Sequence, residues 1–235
     1  MKISKKIFAL TMMALSACAE FQPVPKSFDQ QSSAIGISLE VRGPAKLNTI
    51  KMDMVYFIRL DEKDLPYNKK EVIQSNYSSS DSFYFLNAQP GRYAVVAASS
   101  YIERGGNTNG LPNSTSYRVF FPKNLINKSV VTVTPGSFNF IGAYTVGTSL
   151  GLGDADEAQL HYSNILQPEG AVSMGNNLFS SMLVGGMSVT YTANLKNFNL
   201  NKETEKAFLG ITEKNLKAAG WTNLIAQRKL ALDKE

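Results

Sequence analysis

Short runs of alternating apolar and polar residues recur along the first two thirds of the chain. The first run, I-G-I-S-L-E-V-R at residues 35–42, ends at Gly43-Pro44. An alternation of period two puts every second side chain on one face of a strand, so it predicts a half-buried β-strand. Six further strand-like runs follow, at residues 52–60, 81–88, 92–102, 117–122, 129–134 and 137–146.

Seven short strands without a helical period predict a mainly β fold, and we expect an antiparallel β-sandwich over residues 35–146. Gln89-Pro90-Gly91 is predicted to be a turn, and Pro135-Gly136 to close a hairpin from the last two strands. With a further strand at 187–195, the sandwich would have about seven or eight strands.

The C-terminal residues change to a helical period from Asn201 onward. We predict a C-terminal α-helical appendage that docks on the sandwich, with Thr212 as an N-cap and Gly220 bending or interrupting the helix. Residues 147–235 are therefore interpreted as a Gly-rich linker, extra strand(s) and this helix. Its apolar face comprises Ala218, Trp221, Leu224, Ile225 and Leu232.

The N-terminal residues have the form of a secretory signal. Basic M-K-I-S-K-K precedes the apolar run I-F-A-L-T-M-M-A-L and the small residues Ser16 and Ala17. This run is shorter than the roughly 18–20 residues that a membrane-spanning helix needs. Cys18 is the single cysteine, so it cannot form a disulfide within the chain. Nothing in the sequence supplies the base partner of a catalytic cysteine.

L-S-A-C at residues 15–18 resembles the lipobox of bacterial lipoproteins, whose cysteine receives diacylglycerol after cleavage just before it. The resemblance implies a signal peptide at 1–17 and lipidation of Cys18, which attaches the chain to a membrane. Ala19, where an Asp would favour inner-membrane retention, favours the outer membrane. Residues 18–34, which contain two prolines, are predicted to be a tether. The alternative is an ordinary signal peptide with an incidental cysteine.

Two Pro-Gly segments carry a second resemblance. L-N-A-Q-P-G-R-Y at 86–93 and V-T-P-G-S-F-N-F-I-G-A-Y at 133–144 resemble strands of transthyretin-like and carboxypeptidase-regulatory-like domains in bacterial lipoproteins. The resemblance implies a β-sandwich over 35–146 that binds partners or acts as a spacer and carries no catalytic machinery.

Charge does not indicate a nucleic-acid partner. The formal net charge is +5, but it includes three lysines of the signal segment. No basic cluster is denser than Lys69-Lys70, whereas nucleic-acid binding needs a basic patch or stripe.

Motifs for chemistry are weak. Gly151-Leu152-Gly153 lacks the later glycine or lysine of a nucleotide loop and is interpreted as a linker. Asp154, Asp156 and Glu157 lack the remaining ligands of a calcium loop and are interpreted as a solvated turn. His161 is predicted at a strand edge. The sequence therefore predicts no cofactor, no metal site and no catalytic residue.

Two segments are candidates for contact with a partner. The polar loop 103–116 is flanked by Tyr101 and Tyr117, which would suit an adaptable binding surface. The apolar segment 178–187 is predicted to be core, with contact to a membrane or a partner as the alternative.

The function we expect from the sequence is that of a lipid-anchored, non-enzymatic cell-envelope protein. Its β-sandwich would bind a protein or glycan partner, on either face of the outer membrane. The alternatives are an accessory subunit of an envelope secretion or assembly machine, and a hydrolase with an unrecognised site.

Overall fold

A computed structural model describes residues 23–29, 31–44, 48–60, 71–103, 114–166 and 187–235. Within these residues it contains eleven strands and four α-helices. The strands are β1 (Ser33–Arg42), β2 (Thr49–Ile50), β3 (Met54–Leu60), β4 (Ile73–Gln74), β5 (Tyr77–Ser79), β6 (Ser82–Ala88), β7 (Gly91–Glu103), β8 (Ser114–Phe120), β9 (Val131–Val133), β10 (Phe138–Leu150) and β11 (Met187–Asn199). The helices are α1 (Lys123–Lys128), α2 (Glu157–Ile165), α3 (Lys202–Leu216) and α4 (Thr222–Lys234).

All the strands belong to one mixed sheet, in the order β4-β3-β7-β8-β11-β10-β1-β6-β5, with β2 beside β1 and β9 beside β7. The pairs β1–β10 and β8–β11 are parallel. The prediction of a mainly β chain with C-terminal helices is confirmed, whereas the antiparallel sandwich differs from this single mixed sheet. Alternation identifies a half-buried strand but carries no information on its partner or direction, which explains the difference.

The sheet curls until its two edges meet. Strands β4 and β5 are parts of one segment, residues 73–79, and pair with β3 and β6 respectively. Between them, Ser75 N donates to Val55 O (2.8 Å) and Asn76 N donates to Tyr84 O (3.0 Å). One segment therefore satisfies both edges of the sheet, which would otherwise expose unpaired backbone groups.

The inward residues of the curled sheet form the main core. Ile35, Ile37, Leu39 and Val41 of β1 are buried there, as the alternation predicts for one face of this strand. The rings of Phe57 and Phe85 stack with their centroids 5.9 Å apart and join β3 to β6 across the interior. Further large members of this core are Phe83, Tyr93, Val95, Val119, Ile141 and Tyr144.

Helices α3 and α4 cover the outer face of β1, β6 and β10. Phe208 of α3 packs against Tyr84, Phe138 and Phe140, with centroid distances of 5.6, 6.4 and 4.5 Å. Ala34, Leu86, Leu216, Trp221 and Ile225 belong to the same second core cluster. The sheet is therefore buried on both faces in this region.

The ends of the helices correct one sequence prediction and confirm another. Helix α3 begins after Asn201, whose side chain accepts a hydrogen bond from Thr204 N (2.8 Å). The prediction of Thr212 as an N-cap is wrong, because its hydroxyl donates to Phe208 O in the middle of α3 (2.8 Å). Gly220, at φ 84°, separates α4 from the 3₁₀ turn that follows α3, so the predicted interruption is confirmed.

The predicted hairpin at Pro135-Gly136 is also wrong. Strand β9 pairs with β7, whereas β10 pairs with β1 and β11. The turn therefore moves the chain from one part of the sheet to another. Strand β11 lies between β8 and β10, so the sheet continues past residue 146.

No helix in the described parts of the chain combines the length and the apolar character needed to cross a bilayer.

Candidate binding site at the tyrosine end of the sheet

One end of the curled sheet carries a group of tyrosines, and we call it the tyrosine end. Strands β1, β7 and β10 finish there, and β3, β8 and β11 begin there. A cavity of about 650 Å³ opens at this end, lined by Tyr101, Tyr117 and Tyr191. The rest of this tyrosine cavity is formed by Gly43, Pro44, Asn48, Thr49, Ile50, Lys51, Asp53 and Ser100.

Strand register brings two of the tyrosines together. Tyr117 of β8 pairs with Val189 of β11, and Tyr191 follows two positions later on the same face. The two rings are almost parallel, at 11°, with their centroids 6.4 Å apart. An offset stack of this kind is a favoured arrangement of aromatic rings.

The three tyrosines differ in exposure. Tyr191 is only 8% exposed, and burial, together with the neighbouring Tyr117, raises the pKa of its phenol. It therefore stays neutral at physiological pH. Tyr101 is 58% exposed. The cavity thus has one buried tyrosine, the half-buried Tyr117, and one tyrosine open to solvent.

Asp53 fixes the backbone beside Tyr101. Its carboxylate Oδ2 accepts hydrogen bonds from Ser100 Oγ (3.0 Å) and Tyr101 N (2.8 Å). Its own backbone N donates to Ser99 O (2.9 Å). These bonds join the start of β3 to the end of β7, so that Tyr101 projects from a backbone held on both sides.

A second cavity of about 530 Å³ adjoins the first and shares Gly43, Pro44, Asn48 and Thr49 with it. Its other residues include Arg42, Asn194 and Lys196, so we call it the basic cavity. Arg42 Nε lies 2.9 Å from Glu40 Oε1, and this hydrogen bond lowers the pKa of the Glu40 carboxyl. Aromatic faces and cationic groups therefore stand next to each other at this end.

For the contact surface predicted around loop 103–116, the structure describes the two flanks of the loop. Residues 104–113 lie outside the described residues, but both flanking tyrosines, Tyr101 and Tyr117, line the tyrosine cavity. Cys18, with residues 1–17, also lies outside the described residues, as does most of the apolar segment 178–187.

His161 lies in α2, so its predicted position at a strand edge is wrong. Its ring makes an edge contact with Tyr162, at 4.9 Å between centroids. The sequence runs before His161 have the period of strands, and α2 is too short for a helical period to be recognisable in the sequence.

Two of the three acidic residues, Asp156 and Glu157, make structural contacts at the start of α2. Asp156 Oδ1 accepts from Gln159 N (3.0 Å), and the Gln159 side chain accepts from Asp156 N (3.0 Å), which makes a capping box. Asp156 Oδ2 also accepts from Lys123 N (2.7 Å), and Glu157 pairs with Lys123 Nζ at 3.2 Å. The spacing D-x-x-Q is a sequence signal for this cap. In the described part of the chain, no three His, Cys, Asp or Glu side chains gather as metal ligands would.

Tyr191 and Asp53 were not predicted as site residues. Tyr191 lies in a run typical of an ordinary strand, and Asp53 lies at the start of another such run. Only the pairing register of the sheet brings the two residues to the same end.

No family model matches the chain, and no curated protein or solved structure matches it. A function for this chain therefore rests on its residues and on this geometry.

Proposed function

We propose that this protein is a lipid-anchored, non-enzymatic component of a bacterial cell envelope that binds a protein or glycan partner at the tyrosine cavity. The observation that carries the binding role is the convergence of Tyr101, Tyr117 and Tyr191 on one cavity.

Tyrosine suits this role for a physical reason. It offers a large amphipathic surface with few rotatable bonds, so little conformational entropy is lost when a partner binds. The cavity also falls in the range of roughly 300–1,000 Å³ that is usual for ligand sites. The neighbouring Lys196 favours a partner with anionic or hydroxyl groups beside its stacking surface, whereas the charge of Arg42 is already balanced by Glu40.

The anchor rests on the sequence L-S-A-C at residues 15–18. A diacylglyceryl group and an amide-linked acyl chain such as palmitate on Cys18 would hold the protein stably, since each buried CH₂ contributes roughly 0.8 kcal/mol and two or more chains suffice. Ala19 supports an outer-membrane position. The likeness to transthyretin-like domains rests on the Pro-Gly segments and stays a prediction.

The binding proposal is tested by photo-crosslinking in intact cells. A photoreactive phenylalanine analogue replaces Tyr101, which is 58% exposed, and in a matched control it replaces Leu230 of α4, which is 61% exposed. We expect a covalent product at position 101 and none of the same mobility at position 230. Tyr117→Ala should then weaken the product at position 101. Identical products at both positions, or none at position 101, would contradict the proposal.

The product also separates the kinds of partner. A discrete band that contains a second polypeptide indicates a protein partner. If that polypeptide is in every experiment a subunit of an envelope machine, the accessory-subunit alternative is favoured. A broad, carbohydrate-positive smear indicates a glycan.

The anchor is tested with Cys18→Ser. We expect loss of the acyl mass from the N-terminal peptide and retention of the signal segment, seen as slower migration on a gel. A membrane-bound Cys18→Ser protein of unchanged mobility would show that Cys18 is not the anchor.

A further inference from the structure

The N-terminal segment is attached to the C-terminal helices from Val24 onward. Val24 packs against the second core cluster. Trp221 Nε1 donates to Pro25 O (2.8 Å), and Ser27 N donates to Ala219 O (3.1 Å). Most of the predicted tether, from residue 24 onward, therefore belongs to the folded body and does not act as a spacer.

The next residues form a fixed turn with an exposed aromatic ring. Phe28 N donates to Ser32 Oγ (2.9 Å), and the side chain of Asn87 holds the turn by donating to Lys26 O (2.9 Å) and accepting from Phe28 N (3.3 Å). The Phe28 side chain is nevertheless 81% exposed, more than any other large apolar side chain in the described residues. A single exposed apolar residue needs no explanation by itself. Phe28, however, closely follows the proposed anchor at Cys18 in the chain, and this closeness offers an explanation for its exposure.

Val24 lies six positions after Cys18. A chain of that length spans at most about 22 Å, even when fully extended. If acyl chains on Cys18 lie in a bilayer, the surface at which Val24 docks is held within that distance of the lipid. The folded body cannot then be far from the membrane.

The tyrosine cavity lies at the other end of the sheet. Phe28 lines a small pocket with Gln89 and Pro90, which directly precede β7. Tyr101 lies ten residues beyond Gly91 on that strand. The strand therefore separates the two sites by about 33 Å. We call the end that carries the turn the Phe28 end.

We propose that the Phe28 end rests on the phospholipid surface, with the Phe28 ring at the membrane interface and the tyrosine cavity directed away from the bilayer. This inference rests on the proposed anchor at Cys18. Exposed Lys26 lies two residues before Phe28 in the chain. Exposed Lys217 lies two residues before Ala219, whose carbonyl accepts a hydrogen bond from Ser27 N, and Asp29 is the acid in the same turn. An exposed aromatic ring in a segment that also carries exposed lysines suits the interface of a membrane that contains anionic lipid.

The test measures depth with a label on a single thiol. The acylated protein has no free thiol, since its one cysteine would carry the lipid. Lys26→Cys and Tyr101→Cys, both at exposed positions, are each labelled with a small environment-sensitive fluorophore. The mature proteins are reconstituted in phosphatidylethanolamine–phosphatidylglycerol vesicles with a spin-labelled lipid as quencher.

We expect quenching at position 26 to exceed quenching at position 101 by about threefold or more, because an interfacial site lies within roughly 10 Å of the headgroup–acyl boundary. Phe28→Ser in the Lys26→Cys protein should reduce that difference. Equal quenching at both positions, or stronger quenching at position 101, would overturn the orientation.

Two further readouts separate this inference from the proposed anchor. Mass spectrometry reports acylation of Cys18, and flotation reports attachment to the vesicles. An acylated, floating protein with no quenching at position 26 would refute the orientation alone. A chain without acyl groups, or one that fails to float, would refute the anchor and this inference together.

Discussion

The ring of Phe208 on α3 lies directly over Gly36 on β1. A Cβ atom placed on Gly36 would be 2.5 Å from Phe208 Cε1 and 2.9 Å from Phe208 Cζ, closer than real Cβ atoms come. The same ring stacks on Phe140 at 4.5 Å. The absence of a side chain at Gly36 therefore lets α3 approach the sheet and bury the outer aromatic residues of β10.

The first prediction concerns this contact. Gly36→Ala should destabilise the protein by about 1–3 kcal/mol, because the methyl group pushes Phe208 away from a packed site. Gly210→Ala is the matched control, since Gly210 lies within α3 and a Cβ there meets nothing within 4 Å. The control should stabilise the protein by up to about 1 kcal/mol through helix propensity. Urea unfolding followed by Trp221 fluorescence measures both, and equal stabilities would contradict the packing argument.

Gly36 also illustrates what sequence patterns can predict. The alternation in residues 35–42 identifies β1 and its inward face, and similar runs locate β3, β6, β7, β10 and β11. The alternation makes Gly36 a small outward residue, but nothing local shows that a helix more than 160 positions later covers it. The pairing of β1 with β10 is equally non-local, so the mixed sheet was not predictable from the runs.

The second prediction concerns the ion pair between the C-terminal helices. Arg228 Nε lies 2.6 Å from Glu205 Oε1, and Arg228 Nη2 lies 3.0 Å from Glu205 Oε2, with the Glu205 side chain only 8% exposed. Glu205→Gln should cost about 1–3 kcal/mol, because it leaves a partly buried guanidinium without its main counter-charge.

Lys206→Gln is the control for the loss of charge alone. It removes the more exposed Lys206–Asp233 pair, which also joins α3 to α4. We expect less than about 1 kcal/mol for this surface pair. If the two variants lose equal stability in urea unfolding, burial of the Glu205–Arg228 pair has no energetic role.

The third prediction concerns the cap of α2. Asp156→Ala should cost about 1–2 kcal/mol, because both Gln159 N and Lys123 N lose their acceptor. Hydrogen exchange at the first turn of α2 should accelerate. Asp154→Ala, two residues away and exposed, should leave exchange unchanged. Unaltered protection at Gln159 N in Asp156→Ala would show that the cap does not stabilise the helix.

The candidate site was predictable only in part. Tyr101 and Tyr117 attract notice because they flank a long polar loop, and the structure brings both to one cavity. Tyr191 lies in the regular alternation of β11, so its role depends on the parallel register with β8. Asp53 precedes β3 and acquires its partners from the end of β7. Long-range pairing creates these relationships, and local sequence carries no signal for them.

The last prediction concerns acid pH and the contact between α3 and α4. Hydrogen bonds from Lys229 and Lys206 lower the pKa of the carboxyls of Glu213 and Asp233. Groups with a lowered folded pKa stabilise the fold above their unfolded pKa, and that contribution is lost as the pH falls through the folded value. The helix contact should therefore be constant near neutral pH and weaken below about pH 4.

Urea unfolding of the protein at pH 7 and pH 3, with Trp221 as reporter, measures this loss. Both carboxyls are exposed to solvent, so the effect should be small and should shrink in about 1 M salt. In a Glu213→Gln/Asp233→Asn variant, the same pH change should cause a smaller loss of stability than in the unaltered protein. An identical pH dependence in both proteins would mean that other carboxyls govern acid stability and that these two pairs do not hold α4 on α3.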